Sequence, residues 1–288
     1  MNLAHLHYFY VVAKENGFTK ASQVLRVNQG ALSRTVKMLG EDLGVTLFEK
    51  VGRHVRLTPQ GQEVFDHCRR IFGEVEGLKA AVGQIRGECK GPLMIGASEP
   101  IASHFFPEIL ERYLAQHPKV HPNLFSGPAN LMFSQILTGE LELGAFFHIP
   151  DLPEALEIFE RKPVRYHLVI SKERRRRKET LETFIGSREI DDTSTRRFPT
   201  LERLRRDHPE AKIKISSNNL TAHREMVRRG LGVSILPDFL VREDLREGVL
   251  AEVYPKEDFI FDLKFVKRKT AVLSLNAREW IKESLVSN

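Results

Sequence analysis

Apolar positions Leu3, Leu6, Phe9, Tyr10 and Ala13 recur at helical spacing, which predicts an amphipathic opening helix ending near Asn16 and Gly17. Thr19 is placed to cap a short second helix over 20–26, and Val27-Asn28-Gln29-Gly30 makes a tight turn into a third helix beginning near Asn28. On that third helix Leu32, Val36, Leu39 and Leu43 step by four, three and four residues and so face inward. Gln29, Ser33, Arg34 and Lys37 are left on the outer face. A glutamine can bond the adenine edge bidentately and an arginine can grip guanine or phosphate, so this face suits a helix whose N-terminus enters the major groove.

After Leu47-Phe48-Glu49-Lys50, a turn at 51–54 and the alternating Val55-Arg56-Leu57-Thr58 predict a hairpin, or wing, with Arg53 at its tip. An arginine presented in that way can enter a narrow minor groove. Thr58 and Pro59 then form a helix start, a cap followed by a residue preset for the first turn. Val64, Cys68, Ile71, Val75, Leu78, Val82 and Ile85 follow at alternating steps of four and three. That heptad seam predicts a long helix paired with another helix, most simply its own copy. Gly73, Gly77 and Gly83 lie off the seam, each at a cost of about 1 kcal/mol in helix propensity, so pairing must hold this helix.

Beyond a hinge at 87–92 the pattern changes to short apolar strands alternating with helices. Strands are expected at 93–97, 143–147, 168–171, 184–185, 213–216 and 233–236, and helices at 98–116, 130–138, 221–229 and after Pro237. Such alternation implies an α/β domain with parallel sheets covered on both faces. The run Arg174-Arg175-Arg176-Arg177-Lys178 falls between a strand and a helix and is read as a solvated loop.

Charge adds to this outline because it is uneven. Residues 1–60 hold eight Lys or Arg against four Asp or Glu, while 61–90 balance at five each, within a total of +6. A basic N-terminal unit suits a polyanionic partner through counterion release. Two cysteines, Cys68 and Cys89, fit a reducing cytoplasm, and the sequence shows neither a signal peptide nor an apolar run near the roughly 18 residues that span a bilayer.

The run 25–34, with Leu43-Gly44-Val45-Thr46-Leu47-Phe48 and Leu57-Thr58-Pro59-Gln60-Gly61, closely resembles the LysR-type transcriptional regulators over about the first 65 residues. Asn28 and Gly30 stand where that family usually has Ser and Pro, and Gly40 and Lys50 where it has Glu and Arg. The resemblance implies that Gln29, Ser33 and Arg34 meet bases or phosphates, Thr19 the backbone and Arg53 the minor groove. The expected DNA-facing set is Thr19, Lys20, Asn28, Gln29, Gly30, Ser33, Arg34, Lys37 and Arg53.

Met226 to Leu240, with its Gly-Leu-Gly-Val-Ser-Ile-Leu-Pro core, resembles the LysR-type effector domain, similar in fold to periplasmic binding proteins. The expected architecture is therefore α/β overall: a winged helix-turn-helix at 1–58, a linker and dimerisation helix with hinge at 59–90, and an effector domain at 91–288. Its lobes are expected at 91–162 with 266–288, and at 163–265, with tetramer formation implied by the resemblance alone. Ligands of open α/β sheets bind beyond the carboxyl ends of strands, here the interlobe cleft. Ser98, Glu99, His148, Ser187, Arg188, Asn218, Asn219 and Thr221 are its expected lining. Two helix N-termini aimed there favour a small carboxylate effector.

No phosphate loop, metal cluster or nucleophile with base occurs at recognised spacing, which argues against an enzyme, and His5 and His7 are read as first-helix residues. No cofactor is expected. A free-standing ligand-binding protein would account for the C-terminal lobes but not for the wing, Arg34 or the seam.

Overall fold

The computed structural model describes residues 2–52, 54–85, 87–149, 151–177, 181–187, 206–256 and 259–286. At the N-terminus α1 (Leu3–Lys14), α2 (Phe18–Leu25) and α3 (Gln29–Leu43) surround a core in which Phe9, Val12, Ala21, Leu32 and Leu39 are fully buried. Strands β1 (Phe48–Val51) and β2 (His54–Leu57) pair antiparallel as the wing. The ring of Phe48 closes the core beneath Phe9 and Phe18, with centroids 5.4 and 5.6 Å away. Packing of Phe18 also corrects the expected cap of α2. The helix begins at Phe18 behind Gly17, and Thr19 already lies inside it, where its carbonyl accepts from Ser22 Oγ at 2.8 Å.

Thr58 does start the next helix. Its Oγ1 accepts from Gly61 N at 2.8 Å and donates to the Thr46 carbonyl, which ties the end of the wing to the start of α4 (Pro59–Ile85), a helix of 27 residues. The heptad seam, however, divides into two halves. Cys68 is fully buried in the winged-helix core and Val64 packs against it, so these two serve this chain's own core rather than a partner helix. Burial pushes the Cys68 thiol up to about 11, leaving it an inert apolar group. Phe65 and Phe72 join the same contact, their centroids 5.5 and 5.2 Å from Tyr10 on α1. Farther along, Val75 is half-buried, while Ile71, Leu78 and Val82 are 38, 65 and 45% exposed. The side chain of Ile85 lies outside the described residues.

The C-terminal domain comprises β3 (Gly91–Ala97), a π-helical turn (Ile101–Phe105), α5 (Phe106–Gln116), β4 (Val120–Ser126), α6 (Ala129–Thr138) and β5 (Leu143–Phe146). These are followed by β6 (Leu156–Ser171), α7 (Lys172–Arg176), β7 (Thr183–Gly186), β8 (Lys212–Ser216), α8 (Leu220–Arg228) and β9 (Ser234–Pro237). The chain closes with α9 (Asp238–Glu247), β10 (Leu250–Glu252), β11 (Phe259–Arg268) and α10 (Leu275–Leu285). Parallel pairing holds for β3 with β4 and β5, and for β7 with β8. The expectation of wholly parallel sheets fails at β6 and β11. These long strands pair antiparallel with each other, and they also pair antiparallel with β9 and β10, and with β5, respectively. Only the apolar end of β6 is legible in the sequence, because Glu157, Glu160, Arg161 and Lys162 interrupt its other half. β4 tolerates Pro122 because it is the last strand of the sheet, where an absent N–H is least costly.

Linker and effector domain touch along α4. Arg69 Nε and Nη2 grip Glu140 at 2.8 and 3.0 Å, and Arg268 Nη1 donates to Glu74 at 2.8 Å. Between them Gly73 lies against the end of α6, where an added Cβ would fall 2.7 Å from the Thr138 carbonyl oxygen. Its propensity cost therefore has a structural return: any side chain would separate α4 from α6.

Candidate nucleic-acid interface and effector cleft

The start of α3 is organised by Asn28, whose Oδ1 accepts from Gly30 N at 2.9 Å and Ala31 N at 3.2 Å. That oxygen is consumed by the cap and is not open to a base, so Asn28 orients the helix start rather than reads from it. Gly30 leaves the cap unobstructed, since a Cβ there would fall 3.2 Å from the same oxygen. Replacing Asn28 with Ala is expected to lower winged-helix stability by about 1 kcal/mol and to weaken DNA binding by a similar amount, as read by thermal denaturation and equilibrium titration.

Gln29, Ser33, Arg34 and Lys37 are exposed on one face of α3, opposite buried Leu32, Val36 and Leu39. Among the described residues Arg34 has no ion-pair partner, whereas Lys37 Nζ lies 3.8 Å from Glu41 in a highly exposed i,i+4 pair worth little. Thr19 and Lys20 are exposed on α2. Arg53 lies outside the described residues. The wing carries a further cation that its strand pattern does not single out: Arg56, which bonds Glu49 across the hairpin at 2.8 Å.

In the C-terminal domain the structure unites only part of the expected cleft set. Thr221 Oγ1, in the first turn of α8, donates to the Glu99 carboxylate at 3.0 and 3.2 Å and lies 3.4 Å from His104 Nε2. Burial lowers the pKa of His104, with Glu99 opposing and Arg224 reinforcing that shift, so its ring is held neutral near pH 7. A carboxylate of the protein itself thus occupies the positive end of α8. Asn219 Oδ1 caps α8 through Ala222 N at 2.9 Å, and Ser217 Oγ accepts from Asn219 N at 3.1 Å. Ser187 is buried and Ser98 half-buried, while His148 and Asn218 are exposed. Arg188 lies outside the described residues.

His104 escapes sequence reasoning because the π-helical turn displaces it from the regular helical spacing expected there. An aromatic wall escapes it as well. Phe239 of α9 lies 5.4 Å from Phe105 and stacks at 6.0 Å on Phe147, which in turn meets Tyr166 edge-on at 5.4 Å. Four rings from separate segments meet in one chain of contacts that ends on the buried Tyr166, and no linear motif reports that.

Residues 3–62 match the model for bacterial regulatory helix-turn-helix proteins of the lysR family, and residues 86–285 match the LysR substrate binding domain. The chain belongs to the LysR family. It is thus a DNA-binding transcriptional regulator with an effector-binding domain. Among LysR-family relatives, the uncharacterized HTH-type transcriptional regulator YusT of Bacillus subtilis is 27% identical, with 98% of this chain and 94% of that protein covered. A full-length OxyR point variant from Pseudomonas aeruginosa superposes with a TM-score of 0.67 at 22% identity, covering 99% of this chain and 94% of that one. CbnR, solved full-length in complex with its target DNA, gives 0.63 at 18% identity with 99% of each chain covered. At those identities the structures establish the shared fold. No helix among the described residues is long and apolar enough to cross a membrane.

Proposed function

We propose that this LysR-family regulator binds a near-palindromic DNA site as a homodimer, and that a small effector in the interlobe cleft changes the spacing of its two DNA-reading units. The observation that carries the reading is the outward face of α3, where Gln29, Ser33 and Arg34 stand exposed behind a side-chain cap that fixes the helix start. The units that act are the winged helix at 1–58, the linker at 59–90 and the effector domain at 91–288, with lobe boundaries near 162 and 265. The protein works in the cytoplasm and catalyses no reaction.

Dimer formation uses the outer half of the heptad seam. Ile71, Leu78 and Val82 offer an apolar strip on a helix whose seam is buried in its N-terminal part, at Cys68, by this chain's own winged helix. Leu78→Asp is expected to raise the dimer dissociation constant about tenfold or more, measured by sedimentation equilibrium, because one apolar side chain per protomer loses its burial. DNase footprinting of the full chain tests the whole reading. Protection of two half-sites about one helical turn apart, lost as salt rises and shortened in Leu78→Asp, is expected; salt-sensitive protection with no sequence preference would refute site-specific regulation.

For the effector, Phe105, Phe147 and Phe239 supply an apolar wall and Ser98 a hydroxyl. Because Glu99 already sits at α8, a carboxylate effector must displace it from Thr221 or present a donor to it. Calorimetric titration with small organic acids is expected to show binding weakened roughly fivefold or more in Ser98→Ala, the loss of one hydrogen bond to a charged group. Equal binding by wild type and variant would exclude Ser98 from the site.

A further inference from the structure

Away from the interlobe cleft, the arginine run is solvated as expected at Arg175, Arg176 and Arg177, but its first three residues belong to α7 rather than to a loop, and Lys178 lies outside the described residues. That helix is a single turn on the rim of a cavity of about 650 Å³, bounded also by the end of α8 and the turn at Val249. Lys172, Arg174, Arg176 and Arg177 from one side and Arg228 and Arg229 from the other line this space, against Glu173 as the one lining carboxylate. Glu173 is taken by Arg177, Arg229 pairs with Glu225 at 2.7 Å, and Arg228 lies between Asp244 at 3.7 Å and Glu225 at 4.0 Å. Among the described residues neither Lys172 nor Arg176 has an ion-pair partner.

Helix dipoles explain part of this set, since Arg174 to Arg176 fall in the last turn of α7 and Arg228 in the last turn of α8. They do not explain Lys172, at the positive end of α7, nor the convergence of the two groups. Arg174 is fixed in place by its Nη1 bond to the Gly230 carbonyl at 3.2 Å, and Gly230 has φ +73°, a left-handed turn that lets the chain come up against Arg174. With Glu173, Glu225 and Asp244 already paired to Arg177, Arg229 and Arg228, the positive charge of Lys172 and Arg176 favours an anion in this concavity, and planar guanidinium groups match phosphate oxygens in pairs. A volume of this size is typical of small-molecule sites, and a concave wall suits a compact ligand better than a duplex.

We propose that this cavity binds a small, multiply phosphorylated anion, at a site separate from the interlobe cleft. Isothermal titration of the full chain with inorganic tripolyphosphate tests it, alongside the double variant Lys172→Ala/Arg176→Ala and, as a control, Ser98→Ala. Neither Lys172 nor Arg176 is buried, so the double variant is expected to fold as the wild type does, checked by circular dichroism. Saturable binding weakened at least about tenfold in the double variant and unchanged in Ser98→Ala is the expected result. Absence of saturable binding, or equal binding by the double variant, would overturn the proposal. So would equal losses for tripolyphosphate and for a random-sequence DNA duplex, which would make this surface a nucleic-acid contact.

Discussion

Replacing Phe9 with Ala is expected to remove about 3–5 kcal/mol from the stability of the winged helix, the usual range for deleting a fully buried aromatic ring. Phe9 is completely inaccessible, and it links α1 to the wing through Phe48 while sharing a core with Val12, Leu32 and Leu39. A domain of this size has about 5–15 kcal/mol in total, so such a loss leaves the unit partly unfolded at 37 °C. DNA binding should fall with it. Denaturant titration can separate local from global damage because the single tryptophan, Trp280, is buried in α10 of the other domain. Its fluorescence transition should keep its midpoint while far-ultraviolet circular dichroism acquires an earlier phase. A tryptophan transition moved by the same amount would mean that the Arg69–Glu140 and Arg268–Glu74 contacts make the two domains unfold as one.

Arg34→Ala should have the next largest effect and should act without loss of stability. The side chain is exposed and unpaired among the described residues, so nothing in the fold depends on it. In the major groove it would contribute a charge-assisted, bidentate contact, and its removal should weaken specific binding by about 1–3 kcal/mol, or roughly 10- to 200-fold. The salt dependence separates its two roles. If Arg34 bonds a base, the preference for operator over random DNA should shrink while the salt slope changes little. If it neutralises a phosphate, affinity should fall alike on all sequences and the slope of log K against log salt should drop by about one. Unchanged affinity on both DNAs would remove Arg34 from the interface.

Local and periodic features of this protein are written directly in its chain. The three N-terminal helices, the wing and the long fourth helix follow from apolar spacing, from the Asn28 and Thr58 caps and from the turn between them, because each depends on residues within a few positions of one another. The outward face of α3 is legible for the same reason: its inner face is defined by Leu32, Val36 and Leu39.

Relations between distant segments needed the folded chain. Val64 and Cys68 satisfy a heptad as well as Leu78 and Val82 do, and nothing in the spacing says that α1 covers the first pair and leaves the second open. The direction of β11 relative to β6, and so the mixed sheet, depends on pairing between strands about a hundred residues apart. Glu99 reaches Thr221, and Arg174 bonds the Gly230 carbonyl and shares a cavity wall with Arg228, only because the fold closes those loops. A helix or turn is specified by short-range sterics and hydrogen bonds along the chain, whereas which charge meets which carboxylate is settled by packing, after the cost of bringing remote segments together has been met.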